Sequence, residues 1–135
     1  MSHERADRCP LGCPYCSNPL ALEPHADELD TATWSRVFHE AAALGVLQVH
    51  LSGGEPGLRP DLAALVGAAR AAGLYTNLIT SAVGLSERRL GELVAAGLDH
   101  VQISIQDSDP AEADRIAHRP GAFARKREIA RAAVR

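Results

Sequence analysis

Three times along this chain an amphipathic stripe stops at a glycine and a short apolar run follows. The glycines are Gly45, Gly73 and Gly97, and the runs cover residues 46–51, 74–79 and 99–105. Apolar residues three and four apart mark one face of a helix, and a short run with β-branched residues marks a strand. Helix and strand alternating over short links predict βα units and a parallel sheet, since parallel neighbours need a crossover connection. The first stripe, capped by Asp30 or Thr31, carries Trp34, Val37, Phe38, Ala41 and Leu44. The second opens at Pro60 and carries Leu62, Leu65, Val66 and Ala69. The third, capped by Ser86, carries Leu90, Leu93 and Val94. Asp109-Pro110 opens a last helical region that Gly121 interrupts. In such a sheet, ligands collect beyond the carboxyl ends of the strands. The polar segments 53–57, 80–81 and 106–107 are therefore expected on one rim.

The other constraint is chemical. All three cysteines fall in Cys9-Pro10-Leu11-Gly12-Cys13-Pro14-Tyr15-Cys16, spaced four and then three apart. Three thiolates on one loop can hold three irons of a 4Fe–4S cubane and leave the fourth iron open. An open coordination position separates a metal site that transforms a substrate from one that only holds a fold. An odd count argues against a disulfide framework. Zinc remains an alternative, with Cys9, Cys13, Cys16 and a fourth ligand such as His25.

Composition narrows the rest. With 46% apolar residues in 135, the chain can build one modest domain with a core. It lacks the run of about 18 apolar residues that a membrane span needs. A net charge of −3 gives no reason to expect nucleic acid as a partner. Clustered free thiols and the absence of an apolar leader favour the cytoplasm. From position 115 onward the chain is basic, with Glu128 as its one carboxylate side chain, which reads as a solvated helix face or a docking surface. His39, His50 and His100 read as structural.

Ser52-Gly53-Gly54-Glu55-Pro56-Gly57 follows the first run. The two glycines allow a ligand close to the backbone, Glu55 offers a carboxylate for an ammonium group, and Pro56 stiffens the turn. The segment lacks the lysine and glycine spacing of a phosphate loop.

Together the two motifs resemble the radical S-adenosylmethionine (radical SAM) superfamily. The likeness rests on the cysteine spacing, on the aromatic Tyr15 before the last cysteine, and on Gly-Gly-Glu-Pro after a strand. It implies that Cys9, Cys13 and Cys16 hold a 4Fe–4S cluster. The open iron would chelate S-adenosyl-L-methionine through its amino and carboxylate groups. Gly53, Gly54, Glu55 and Pro56 would cradle that cosubstrate, with Tyr15, Thr80, Ser81, Ser104 and Gln106 near it. The implied fold is an incomplete parallel (β/α) barrel. Residues 1–135 would form one partial domain with its cluster loop at 9–20. The remaining βα units and a C-terminal auxiliary-cluster domain would be missing.

Within the superfamily the chain is most similar to the PqqE enzymes of pyrroloquinoline quinone biosynthesis. Ser17-Asn18-Pro19-Leu20, Tyr75-Thr76-Asn77-Leu78-Ile79-Thr80-Ser81 and Val101-Gln102-Ile103-Ser104-Ile105-Gln106 carry that likeness. It implies reductive cleavage of the cosubstrate and a glutamate–tyrosine cross-link in the precursor peptide PqqA. The chaperone PqqD would present the peptide, and a donor such as flavodoxin would supply electrons. Another radical SAM enzyme with a different substrate is the closest alternative. Two departures stand out. Residues 1–8 do not read as the strand that precedes the cluster loop in the family, and Gly57 replaces a larger apolar residue. A chain of this extent is expected to be inactive alone in peptide cross-linking, and to be poorly soluble or to lean on a partner.

Overall fold

The computed structural model describes residues 9–16, 18 and 28–135. His25 and the expectation of no strand at 1–8 lie outside them. Three parallel strands form one sheet in the order β1 (Gln48–Leu51), β2 (Tyr75–Thr80), β3 (His100–Ile103). Helix α1 (Thr31–Ala43) precedes β1, α2 (Leu62–Ala71) joins β1 to β2, and α3 (Glu87–Ala96) joins β2 to β3. Helices α4 (Pro110–Ala117) and α5 (Ala122–Ala133) follow. The fold is α/β, as the alternation predicts. Among the described residues no helix is long and apolar enough to cross a membrane.

The caps explain most boundaries. Asp30 accepts from Thr33 N at 2.8 Å, Ser86 from Arg89 N at 3.1 Å, and Asp109 from Glu112 N at 2.9 Å. Each side-chain oxygen satisfies an N–H that the first helical turn cannot pair. Pro60 does not open α2. Pro56 instead begins a short 3₁₀ turn, Pro56–Leu58, capped by Glu55, and α2 starts only at Leu62. The strands are shorter than the apolar runs. Val46 and Leu47 stand exposed before β1 begins.

Alternation along the strands divides the sheet into two faces. Leu51, Leu78, Val101 and Ile103 pack with Leu62 and Val66 of α2, Leu90 and Leu93 of α3, and Ile129 of α5. A second cluster joins Phe38 of α1 to Leu65, Ala69 and Leu74. Each fully buried leucine contributes about 1.5–3 kcal/mol of transfer free energy. Leu44 and Val94, both assigned inward from the periodicity, are exposed. On the other face Asn77 bridges two imidazoles across all three strands. It meets His50 Nδ1 at 2.9 Å and His100 Nδ1 at 2.8 Å, in register.

Helix α5 lacks a side-chain cap of its own. Asp114 of α4 supplies one, accepting from Gly121 N at 2.6 Å and Phe123 N at 2.7 Å. Bonding to the Phe123 and Gly121 amides holds its carboxyl below the usual range. A carboxyl lowered on folding stabilises the protein above its unfolded value of about 4, and that contribution disappears as pH falls through the folded value. Asp114→Asn should therefore lower the urea midpoint at neutral pH, and its gap to wild type should narrow below pH about 4. Equal gaps at both pH values would remove the carboxylate from the account.

Candidate functional site

Beyond the carboxyl ends of the strands lies a hollow of about 520 Å³. The cysteine loop forms one side of it. Cys16 N donates to Cys13 O at 3.2 Å, closing a turn that brings the last two thiols onto one bend. Cys9 and Cys13 are half-buried against the cluster of Leu11, Ala117 and Ala122, while Cys16 is exposed, and all three are free thiols. The loop is clamped from far along the chain. Gly12 N donates to Ala117 O at 3.0 Å, and Arg119 Nη1 to Pro10 O at 3.3 Å. Burial pushes the Cys9 thiol above its usual value, with the charges of Glu55, Cys13 and Cys16 adding and the Leu11 amide opposing. The Tyr15 phenol is also raised, first by burial and then by its neighbour Cys13.

The glycine loop forms another side. Gly53 has φ +143°, a backbone region that a side chain disfavours, and its carbonyl accepts from Asn18 Nδ2 at 3.0 Å. The strand ends complete the wall. Cys9, Cys13, Tyr15, Cys16, Gly53, Gly54, Thr80, Ser81, Ser104 and Gln106 all border this one hollow. Glu55 and Pro56 do not. They line a second hollow of about 590 Å³, between α1, β1 and α2, whose other walls include Trp34, Phe38 and Leu65.

Glu55 is buried, and its carboxylate is fully engaged. Oε1 accepts from Thr80 Oγ1 at 2.5 Å and from Gly57 N at 2.9 Å. Oε2 accepts from Ser81 N at 2.8 Å and from the Ser81 hydroxyl. A carboxylate offers about four acceptor positions, and the chain's own donors fill four. This brace ties the β1 loop to the end of β2. It also accounts for Gly57, where a Cβ would stand 2.9 Å from Glu55 Oε1 and 3.0 Å from Leu85 Cδ2.

Among the described residues no three His, Cys, Asp or Glu side chains form a clasp for a single metal ion. Tetrahedral zinc, with Zn–S bonds of about 2.3 Å, needs its sulfurs in mutual contact. Thiolates on different irons of a cubane stand further apart; three free thiols border the hollow, and His25, the fourth zinc ligand suggested by the sequence, lies outside the described residues.

Comparison with known proteins supplies the family. The model of the radical SAM superfamily matches residues 4–135. The chain belongs to the radical SAM superfamily. Among its curated relatives is a PqqA peptide cyclase of Ruegeria pomeroyi, 63% identical over 130 residues, covering 96% of this chain and 35% of the relative. Another, of Methylocella silvestris, is 60% identical over 127 residues, covering 94% and 34%. A third, of Gluconobacter oxydans, is 61% identical over 128 residues, covering 95% and 36%. The chain thus spans about a third of the length of the relatives it matches.

The sequence reading missed two participants. The clamp from α4 onto the cysteine loop bridges more than a hundred residues and leaves no local pattern. Lys126, in the run read as a solvated face, is buried at 1% exposure and donates to Gln106 Oε1 at 2.6 Å.

Proposed function

We propose that this chain is one partial radical SAM domain, an incomplete parallel (β/α) barrel whose strand ends carry the reaction site of a PqqA-directed peptide cyclase. The observation that carries this reading is the common hollow: three free thiols and a Gly-Gly turn border one cavity at the carboxyl ends of parallel strands. Cys9, Cys13 and Cys16 would hold a 4Fe–4S cluster with one iron open to S-adenosyl-L-methionine. When bound, this pair supplies the electron and the carbon–sulfur cleavage that yield methionine and a hydrogen-abstracting 5′-deoxyadenosyl group.

The chain's own residues position and enclose. The Gly53–Gly54 backbone, free of side chains, receives the amino end of the cosubstrate. Tyr15 supplies an aromatic wall beside the last cysteine. Ser104 and Gln106 offer polar groups to ribose or carboxylate. Thr80, Ser81 and Glu55 hold the rim rigid, and Pro56 opens the turn that places Glu55. In the whole protein the product would be a glutamate–tyrosine cross-link in the PqqA peptide, with PqqD presenting the peptide and a flavodoxin-like donor supplying electrons. A cytoplasmic setting fits exposed thiols such as Cys16.

The test is anaerobic reconstitution with iron and sulfide, followed by dithionite and S-adenosyl-L-methionine. A brown, dithionite-bleached protein that forms 5′-deoxyadenosine supports the reading. A colourless protein that binds zinc with higher affinity than it assembles iron and sulfide would replace it with a metal-binding module.

A further inference from the structure

Lys126 is the chain's only lysine, and it is buried with a single neutral partner among the described residues. Its ammonium has three N–H donors, of which one goes to Gln106 Oε1. Glu55 and Asp114 are the carboxylates whose charge it feels, yet neither bonds it. Glu55 spends its oxygens on Gly57, Thr80 and Ser81, and Asp114 spends its own on Gly121 N and Phe123 N. A buried cation with no bonded anion among the described residues is costly, and burial holds its pKa below the usual value. The opposing influences begin with the sulfur of Cys13 and end with that of Cys9. Gln106, the group Lys126 touches, borders the hollow those cysteines face.

We propose that Lys126 is the counter-charge of the thiolate trio, a positioning residue that α5 inserts behind the cluster site. This rests on the cluster reading above. Three thiolates around a 4Fe–4S core leave a net negative charge that grows on reduction, so a fixed cation behind them favours both assembly and the reduced state. Without the cluster the same cation is a liability to the fold.

These two consequences have opposite signs, and a merely structural lysine would not produce both. Lys126→Met, Lys126→Gln and Lys126→Arg in the 135-residue chain are compared with wild type. Urea midpoints are measured on the cluster-free proteins. Iron and sulfide content, and the cluster's midpoint potential, are measured after anaerobic reconstitution without S-adenosyl-L-methionine. The expected result is a higher urea midpoint for K126M, together with lower iron content or a more negative potential in K126M and K126Q. K126R should stay near wild type in both cluster measurements. Should K126M fold poorly, K126Q decides. Wild-type iron content and potential in both charge-removing variants overturns the proposal, and so does a cluster-free urea midpoint below wild type in both K126M and K126Q. If wild type itself assembles no cluster, the functional reading fails first, and that outcome is distinct from a wild-type cluster indifferent to residue 126. Omitting the cosubstrate separates the cluster's charge from that of the cosubstrate carboxylate: an effect appearing only after S-adenosyl-L-methionine is added assigns Lys126 to the carboxylate and overturns the proposal.

Discussion

Cys13→Ser should abolish cluster assembly while leaving the cluster-free fold nearly intact, and Cys9→Ser and Cys16→Ser should behave alike. A serine hydroxyl is not ionised at neutral pH and is a hard donor, whereas iron–sulfur clusters are held by soft thiolate. Losing even an outer partner of a metal ligand costs about 10–100-fold in affinity, so losing one of three ligands should cost more. Iron should fall from about four per chain to a small residue, and 5′-deoxyadenosine formation should fall with it. Stability gives the control. Cys16 is exposed, and an exposed substitution away from special features changes stability by about 0.5 kcal/mol or less. A Cys16→Ser chain with a wild-type urea midpoint but no iron separates ligand loss from misfolding. Three serine variants that each retain full iron content would dismiss the cluster reading.

The parts of this site that the sequence reveals are those encoded locally. The three cysteines and the Gly-Gly-Glu-Pro turn each lie within a few residues, and each has a mechanism tied to spacing. The sheet was legible for the same reason: an apolar run after a glycine-ended stripe specifies a strand wherever it falls. The ends of elements were harder. Val46 and Leu47 look like strand yet stay exposed: Leu47 lends only its carbonyl to Tyr75 N at 2.9 Å, and the paired register begins with Gln48 opposite Tyr75. Pro60 looks like a helix start, but Pro56 is the proline that opens a helical turn, since Glu55 bonds Gly57 N there.

Long-range electrostatics was illegible altogether. Lys126 stands in a basic helix whose neighbours Arg127 and Glu128 face solvent, and only the packing of α5 against the strand ends turns this one cation inward. The roles within Ser52–Gly57 also needed three dimensions. A carboxylate following two glycines looks like a hand held out to a ligand. In the folded chain it reaches back to the next strand, and the nitrogen of Gly57 completes its ligation.

That geometry sets the second large effect. Glu55→Ala leaves Gly57 N, Ser81 N and two hydroxyls without their acceptor in a site where the parent side chain is 4% exposed. Hydrogen bonds to charged groups are worth about 1.5–3 kcal/mol, and a stranded buried donor costs about 1–3 kcal/mol. Some hydroxyls can turn toward new partners and some donors can reach water, so the sum is bounded at roughly 3–5 kcal/mol, among the largest effects a single change produces. Glu55→Gln should cost less, about 1–3 kcal/mol, by a specific route. Either orientation of the amide aims its NH₂ at a backbone N–H, of Gly57 or of Ser81, and neither can rotate away. Ser81→Ala removes only one hydroxyl, and Oε2 keeps the Ser81 amide, so it should be the mildest of the three. Urea midpoints at constant slope, taken on cluster-free protein, give the ranking. A carboxylate whose task was to grip the cosubstrate's ammonium directly would predict the reverse pattern: cluster-free stability unchanged in Glu55→Gln, and affinity lost only for ligands that carry the amino group. A brace predicts affinity lost equally for S-adenosyl-L-methionine and for an analogue without that amino group, because what fails is the position of the Gly53–Gly54 backbone rather than one ion pair.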